Sequence, residues 1–238
     1  MSTDPTDSLP PDTPLSKLPN FDPRQVPVVR VDSDLPAVAL SRLAPEALRA
    51  RFAHPPAWQP ELRTERIAMG RPAVPASVLV PIVLREQPTV LLTERTSHLS
   101  THKGQVAFPG GRQDDTDRDA ADTALREATE EIGLDRALVD VIGSLPTYTT
   151  ISQFLVTPVV GLVRPDYRLL LNDYEVADAF EVPLAFLMDP AHHRRHALEL
   201  GGLRREWYSM PYVDARKERF IWGATAAMLR NFYRFLAA

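Results

Sequence analysis

Short apolar runs separated by turn residues dominate the chain from about Pro72 onward. Ser77–Leu84 and Thr89–Thr93 are rich in β-branched and apolar residues, and Glu86–Pro88 between them has the composition of a turn. This pattern predicts a β-hairpin. The further strands that the pattern predicts are Gln105–Phe108, Val139–Ser144, Thr157–Val163 and Ala179–Val182.

Three other segments have helical patterns. Asp119–Ile132 begins with acidic residues and is followed by Gly133, which are typical start and stop signals of a helix. Trp222–Leu236 places its apolar residues on one face and predicts an amphipathic helix of the core. Ala44–Phe52 predicts a third helix, with Pro45 in its first turn. Because strands and helices alternate, the predicted fold class is an α/β sandwich.

The beginning of the chain has a different composition. Of the 23 prolines, seven fall within the first 30 residues, where they alternate with Ser, Thr and Asp. A segment with so little apolar surface to bury predicts an extended, mobile tail over residues 1–25. Residues 26–70 are predicted to form an N-terminal extension without recognisable chemistry, and residues 71–238 the main domain.

Composition and charge exclude several classes of protein. No apolar run approaches about 18 residues, which excludes a transmembrane helix, and the N-terminus lacks the features of a secretory signal. The absence of cysteine excludes disulfides, cysteine-bound metals and a thiol nucleophile. A net charge of −4 argues against non-specific nucleic-acid binding. We therefore expect a cytoplasmic protein whose partners include neither a membrane nor a nucleic acid.

Three glutamates share one side of the helix predicted over residues 119–132. Glu127, Glu130 and Glu131 lie at i, i+3 and i+4, so Glu130 and Glu131 project about 60° and 40° to either side of Glu127 and away from the apolar face. Carboxylates so close repel each other unless a cation lies among them, and Mg²⁺ or Mn²⁺ prefers such oxygen ligands. The alternative is a solvated acidic face in which Arg126 and Glu130 form an i,i+4 ion pair.

A glycine turn precedes this helix. Phe108–Gly111 ends a predicted strand, and 14 residues separate Gly111 from Arg126. Adjacent glycines let the backbone turn tightly and bring a carbonyl oxygen close to a bound ion. The strand, the glycine turn and the carboxylate-bearing helix together predict a metal cradle.

These residues resemble the Nudix hydrolase family, whose box reads G-x5-E-x7-R-E-U-x-E-E-x-G-U, with U an apolar residue. Gly111 matches the opening glycine, and residues 126–134 match every fixed position of the second half. The acid of the first half would be Asp117, but eight residues separate it from Arg126 where the box has seven. The resemblance implies a Nudix-type α/β/α sandwich with a mixed β-sheet. It also implies a metal-dependent diphosphatase that acts on a small nucleoside diphosphate substrate with Mg²⁺ or Mn²⁺.

The resemblance assigns roles to the residues of the box. By position, Glu127 and Glu131 would bind the metal ion, and the carbonyl oxygen of Gly111 would be a third ligand. Glu130 would complete the cluster or hold a second ion. Arg126 would orient a neighbouring carboxylate.

Leu91–Gly111 is similar to the signature that precedes the box in coenzyme A diphosphatases, L-L-T-x-R-(S/A)-x3-R-x3-G-x3-F-P-G-G. The fixed positions match, except that Thr96 stands where Ser or Ala is usual and Ser100 where Arg is usual. This likeness implies cleavage of coenzyme A or its derivatives to 3′,5′-ADP and 4′-phosphopantetheine. The basic residues expected to bind the substrate are Arg95, His102 and Lys103.

Several alternatives stay open. The general base is a glutamate of the box or a distant acid, for which Glu175 is preferred to Glu181. Ser100 favours another nucleoside diphosphate derivative, such as ADP-ribose or NADH, and a non-catalytic Nudix-like binding domain is a third hypothesis. The sequence also leaves a homodimer open.

His192–His196 is interpreted as a solvated loop or edge strand, because its spacing fits no zinc site.

Overall fold

Two β-sheets and four α-helices make up the part of the chain that the structure describes. The computed structural model describes residues 15, 18, 21–61, 73–96, 104–150, 152–200 and 203–238, except for the side chains of Leu200 and Leu203. The strands are β1 (Val28–Val31), β2 (Val74–Val83), β3 (Thr89–Arg95), β4 (Val106–Ala107), β5 (Gly110–Arg112), β6 (Val139–Ser144), β7 (Tyr148–Thr149), β8 (Phe154–Val163), β9 (Val176–Pro183), β10 (Arg194–Leu200), β11 (Leu203–Val213) and β12 (Glu218–Trp222). The helices are α1 (Pro45–Ala53), α2 (Ala120–Ile132), α3 (Leu184–Leu187) and α4 (Gly223–Ala237).

The larger sheet is mixed. Its strand order is β4-β3-β2-β8-β6, while β5, β7 and β9 pair with β2, β8 and β3. β2 and β8 are parallel, and the other pairs within the described sheet are antiparallel. The predicted hairpin is confirmed, since β2 and β3 pair through Ile82 and Val90. The four other predicted strands are confirmed as β4, β6, β8 and β9, with small shifts at their ends.

Both faces of the larger sheet are covered, which explains why its central strands are apolar at nearly every position. Helix α2 covers one face through Ala124, Ala128 and Ile132, which pack with Leu79 and Leu91. The opposite face packs in a second apolar cluster with α4 and with residues of β11 and β12. The predicted α/β sandwich with a mixed sheet is therefore confirmed, as are the three predicted helices.

The smaller sheet is a feature that the hydrophobic pattern does not predict. Its strands lie in the order β1-β10-β11-β12. The prediction of a solvated loop or edge strand over His192–His196 is wrong, because β10 lies between two strands and both His193 and His196 are buried. Nε2 of His193 lies 2.8 Å from the Leu187 carbonyl oxygen, and its Nδ1 lies 3.2 Å from Nη1 of Arg230. A nearby carbonyl and the distant Arg230 thus hold this histidine in the core.

The N-terminal extension adds to both sheets. β1 pairs with β10, and α1 contacts β6 of the larger sheet. Leu18 is only 8% exposed, and the ring of Phe21 lies 5.9 Å from that of Trp207. The other residues up to 20, apart from Leu15, fall outside the described ranges. The domain boundaries after residues 25 and 70 stay predictions.

None of the helices in the described ranges is long and apolar enough to span a membrane.

Candidate active site

Helix α2 carries the candidate carboxylates, and its own sequence fixes both of its ends. The side chain of Asp119 caps the first turn by accepting a hydrogen bond of 2.8 Å from the amide of Asp122. Gly133 follows the last turn with a φ of 65°, a left-handed conformation that favours glycine. Because the apolar face of α2 is buried on the sheet, Glu127 and Glu131 lie along the side that meets β5.

The backbone of two glycines in β5 lies against these carboxylates. The amide of Gly110 donates a hydrogen bond of 3.2 Å to Oε2 of Glu131. A Cβ atom at Gly111 would lie 2.5 Å from the carboxyl carbon of Glu127, so a side chain there would displace this carboxylate. The strand, the glycine turn and the helix therefore meet as the sequence predicts.

Burial disfavours the charged forms of both carboxylates. The side chain of Glu131 is 5% exposed, and burial is the main cause that raises its pKa to about 7. Burial also raises the pKa of Glu127, and the charges of Glu130 and Glu175 act in the same direction. Buried carboxylates with raised pKa values are typical of sites that bind a cation or transfer protons.

Arg126 connects the acids at the solvent edge of the site. Its Nη1 lies 3.0 Å from Oε1 of Glu127 and 3.1 Å from Oε2 of Glu130. The side chain of Glu130 is 57% exposed, so it lies at the rim while Glu131 lies inside. Nε and Nη2 of Arg126 also bind both oxygens of Asp117, which holds the pKa of Asp117 well below its usual range.

One residue at the end of β3 and one directly before β9 interact with the carboxylates of α2. Nη1 of Arg95, the last residue of β3, is 3.9 Å from Oε1 of Glu131. Glu175 directly precedes β9, and its charge raises the pKa of both Glu127 and Glu131. The other two expected substrate-binding residues, His102 and Lys103, lie outside the described residues.

Glu181, the second candidate for a distant general base, is held in a different ion pair. Arg85 donates hydrogen bonds of 3.1 and 2.7 Å to its two oxygens. The hydroxyls of Tyr167 and Thr89 donate to the same carboxylate. Although burial by itself would raise the pKa of Glu181, these contacts hold it below its ordinary value. Of the two distant acids, Glu175 is therefore the one beside the carboxylates of α2.

The family follows from the match of the whole domain. A model of the NUDIX domain matches residues 74–200, a range that contains α2, the glycine turn and the ends of β3 and β9. The chain belongs to the Nudix family. It is a Nudix diphosphatase, an enzyme that hydrolyses phosphoric anhydrides.

Relatives of this Nudix protein are found among curated bacterial sequences. An uncharacterized Nudix hydrolase of Escherichia coli K12, NudL, is 44% identical over 159 residues, which are 66% of this chain and 79% of NudL. NudL of Shigella boydii serotype 18 matches to the same extent. Among solved structures, a MutT protein from Methanosarcina mazei Go1 is 20% identical, with a TM-score of 0.40 over 50% of this chain and 83% of that one.

Nudix hydrolases generally use divalent metal ions, and the donor atoms of this site fit such an ion. Glu127 and Glu131 supply carboxylate oxygens, and the space beside Gly111 that a Cβ atom would fill lies against Glu127. Within the described ranges, no three acidic or imidazole side chains form a group that could enclose an ion by themselves. Such an incomplete donor set suits Mg²⁺ or Mn²⁺, because Mg²⁺ usually keeps several waters and takes further oxygens from substrate phosphates.

One contact that shapes the site is missed by sequence reasoning. The hydroxyl of Thr96 donates a hydrogen bond of 2.9 Å to the carbonyl oxygen of Tyr174, and its amide donates one of 3.0 Å to that of Glu175. These bonds tie the end of β3 to the segment that carries Glu175. The available signal is the position of Thr96 in the diphosphatase-like signature, where Ser or Ala is usual and Ser also has a hydroxyl.

Proposed function

We propose that this Nudix hydrolase cleaves the diphosphate linkage of coenzyme A or its derivatives and releases 3′,5′-ADP and 4′-phosphopantetheine. The observation that carries the proposal is the likeness of Leu91–Gly111 to the coenzyme A diphosphatase signature. The two ends of this segment support it, because Arg95 lies 3.9 Å from Glu131 and Gly110 donates a hydrogen bond to the same carboxylate. Two described parts of the segment thus contact the same carboxylate of α2.

Within this proposal, Glu127, Glu131 and the carbonyl oxygen of Gly111 would hold Mg²⁺ or Mn²⁺. Glu130 would complete the site from the rim. A bound divalent ion supplies neutralisation of the negative diphosphate oxygens. Arg126, itself anchored by Asp117, holds the carboxylates of Glu127 and Glu130 in place.

The remaining residues act on the substrate and on the attacking water. Arg95 would bind a diphosphate oxygen, because its guanidinium reaches the edge of the carboxylate cluster. Glu175 would accept the proton of the water as the water oxygen bonds to phosphorus. The bond between phosphorus and the bridging oxygen then breaks, and the second phosphate leaves.

A second substrate class has one observation in its favour. Ser100 stands where the signature has Arg, so a cation expected at the coenzyme A phosphates is missing. Another nucleoside diphosphate derivative, such as ADP-ribose or NADH, would not need a cation for a 3′-phosphate.

The cytoplasmic location stays a prediction from the sequence.

The proposal is tested by a product screen. The full chain is incubated with coenzyme A, an acyl-coenzyme A, ADP-ribose and NADH, each with Mg²⁺ and with Mn²⁺, and the products are separated by chromatography. The highest kcat/KM for a coenzyme A substrate, with 3′,5′-ADP as a product, is the expected result. A preference for ADP-ribose or NADH would overturn the coenzyme A proposal and leave the Nudix assignment intact.

A further inference from the structure

Arg219 is a fully buried arginine on the face of the larger sheet that lies opposite α2. Its side chain is 0% exposed and lies in β12, with the guanidinium 4.1 Å from the centre of the Phe180 ring. Each of its nitrogens binds a different carboxylate. Nη1 lies 2.8 Å from Glu94, and Nη2 lies 2.7 Å from Asp178. Nε lies 2.6 Å from Asp214. A buried guanidinium is tolerated when its donors are paired in this way.

Arg219 is the buried cation between two of these acids, which the exposed Lys217 and Arg216 also contact, at 2.8 Å from Glu94 and 3.4 Å from Asp178. Glu94 of β3 and Asp178 of β9 are direct cross-strand partners. Like charges that face each other across a strand pair are destabilising. Arg219 binds one oxygen of each, so it holds the two strands together at this point. Its planar, forked guanidinium suits this task, because it can donate in several directions at once.

The next residues of both strands are those of the candidate active site. The register shifts between Glu94 and Arg95, because Arg95 pairs with Val176 and Ala177 is left without a partner in the ladder. Such a bulge redirects the side chains that follow it. Arg95 lies at this shift, and Glu175 lies one residue beyond its partner Val176. Because neighbouring residues of a strand point to opposite faces, Glu94 faces Arg219 while Arg95 reaches Glu131.

We propose that Arg219 is a positioning residue of the diphosphatase reaction, which acts through the sheet by fixing the strand ends that carry Arg95 and Glu175. The proposal rests on the roles proposed above for these two residues. With Arg219 in place, the two facing carboxylates are neutralised and the bulge keeps its geometry. Without it, only the exposed Lys217 and Arg216 pair with the two acids, and the ends of β3 and β9 lose the buried contact that fixes the groups beside Glu131.

The first test compares Arg219→Lys with a matched control. A lysine keeps the positive charge, but its single ammonium group cannot bind three carboxylates in a plane. We expect kcat/KM to fall by roughly 10-fold to 100-fold, since a displacement of about 1 Å at a site costs that much. The control is Lys217→Met, because Nζ of Lys217 also lies 2.8 Å from Glu94 but its side chain is 47% exposed. This variant should change kcat/KM by less than about twofold.

A double-mutant cycle separates positioning from a general loss of structure. Arg95→Ala is made alone and together with Arg219→Lys, and kcat/KM is measured with the substrate that the product screen favours. If Arg219 acts through Arg95, most of its effect disappears in the Arg95→Ala background. If Arg219→Lys lowers kcat/KM by the same factor with and without Arg95, the positioning role of Arg219 is overturned, while the proposed function is unaffected. An Arg95→Ala variant with unchanged activity would instead remove the proposed role of Arg95, and the positioning role with it.

A second set of variants serves if Arg219→Lys does not fold. Glu94→Gln and Asp178→Asn keep the shapes of the two acids and remove their repulsion. Combined with Arg219→Met, they should restore a folded protein, seen by circular dichroism, with at least about a tenth of the original kcat/KM. A triple variant that folds but remains as inactive as an Arg95→Ala variant would overturn the proposal, and so would one that does not fold.

Discussion

The carboxylate of Asp117 accepts hydrogen bonds from both Nε and Nη2 of Arg126, at 2.8 and 2.9 Å. Eight residues separate the two, one more than the Nudix box has between its acid and its arginine. The longer loop therefore still delivers an acid to the arginine of the box. The side chain of Asp117 is 3% exposed, and this pair fixes the loop to α2.

The first prediction concerns this ion pair. Asp117→Asn removes the charge but keeps the shape, and it should lower the free energy of unfolding by about 1.5–3 kcal/mol at neutral pH. Because Arg126 lowers the pKa of Asp117, the pair stabilises the folded state above pH 3.8 and its contribution is lost as the pH falls below that value. Urea unfolding at pH 7 and pH 3 measures both effects. Asp115→Asn in the same loop, at an exposed position, should have no effect and serves as the control.

The second prediction concerns Glu131. Glu131→Gln removes a charged ligand of the metal ion, and kcat should fall by roughly 100-fold or more with saturating substrate and metal. The metal-free variant should be at least as stable as the natural protein at pH 8, because burial makes the charged form of Glu131 unfavourable. Thermal melting and steady-state kinetics test the two statements. Glu130→Gln, at the exposed rim, should lose less activity than Glu131→Gln. Equal losses of kcat would contradict the more central role given to Glu131.

The third prediction concerns the general base. Glu175→Gln should lower kcat by roughly 100-fold to 10,000-fold with little change in the melting temperature, because a glutamine cannot accept a proton. Asp173→Asn alters an exposed acid two residues away and should leave kcat unchanged. If Glu175→Gln keeps full activity across the pH range while Glu131→Gln does not, the base is a glutamate of the box.

The fourth prediction concerns the N-terminal segment. Leu18 is 8% exposed, whereas Leu15 is only partly buried. Leu18→Ala should therefore lower the free energy of unfolding by about 2 kcal/mol, as expected for a buried leucine. Leu15→Ala should have a smaller effect. Equal and negligible effects in denaturant titrations would show that neither residue stabilises the fold in solution.

The fifth prediction concerns His193. Burial lowers its pKa to about 4, against an ordinary value of 6.5, so the unfolded chain binds more protons between these pH values. The folded state should therefore lose stability through this residue as the pH falls from 6.5 to 4, by up to about 3 kcal/mol. His193→Gln should remove this part of the pH dependence of unfolding. His54→Gln, at an exposed position, should retain it.

Local sequence determined the hairpin of β2 and β3, helix α2 with its caps, and helix α4, because each is encoded by short-range periodicity and by turn or capping residues. The same holds for the carboxylates of α2 and the glycines of β5. Glu127 and Glu131 lie one helical turn apart, and a side chain at position 111 would displace the carboxylate of Glu127 from its place beside β5.

Only the tertiary structure decided where residues from distant parts of the chain meet. The smaller sheet joins β1 to strands more than 160 residues later, and it buries histidines and arginines that look like surface residues when read locally. Glu175 and Glu181 are equivalent acids in the sequence, but Arg85 binds Glu181, whereas Glu175 lies beside the carboxylates of α2. Long-range ion pairs such as those of Arg219 have no sequence periodicity, because their energy depends on burial and on partners that only the folded chain brings together.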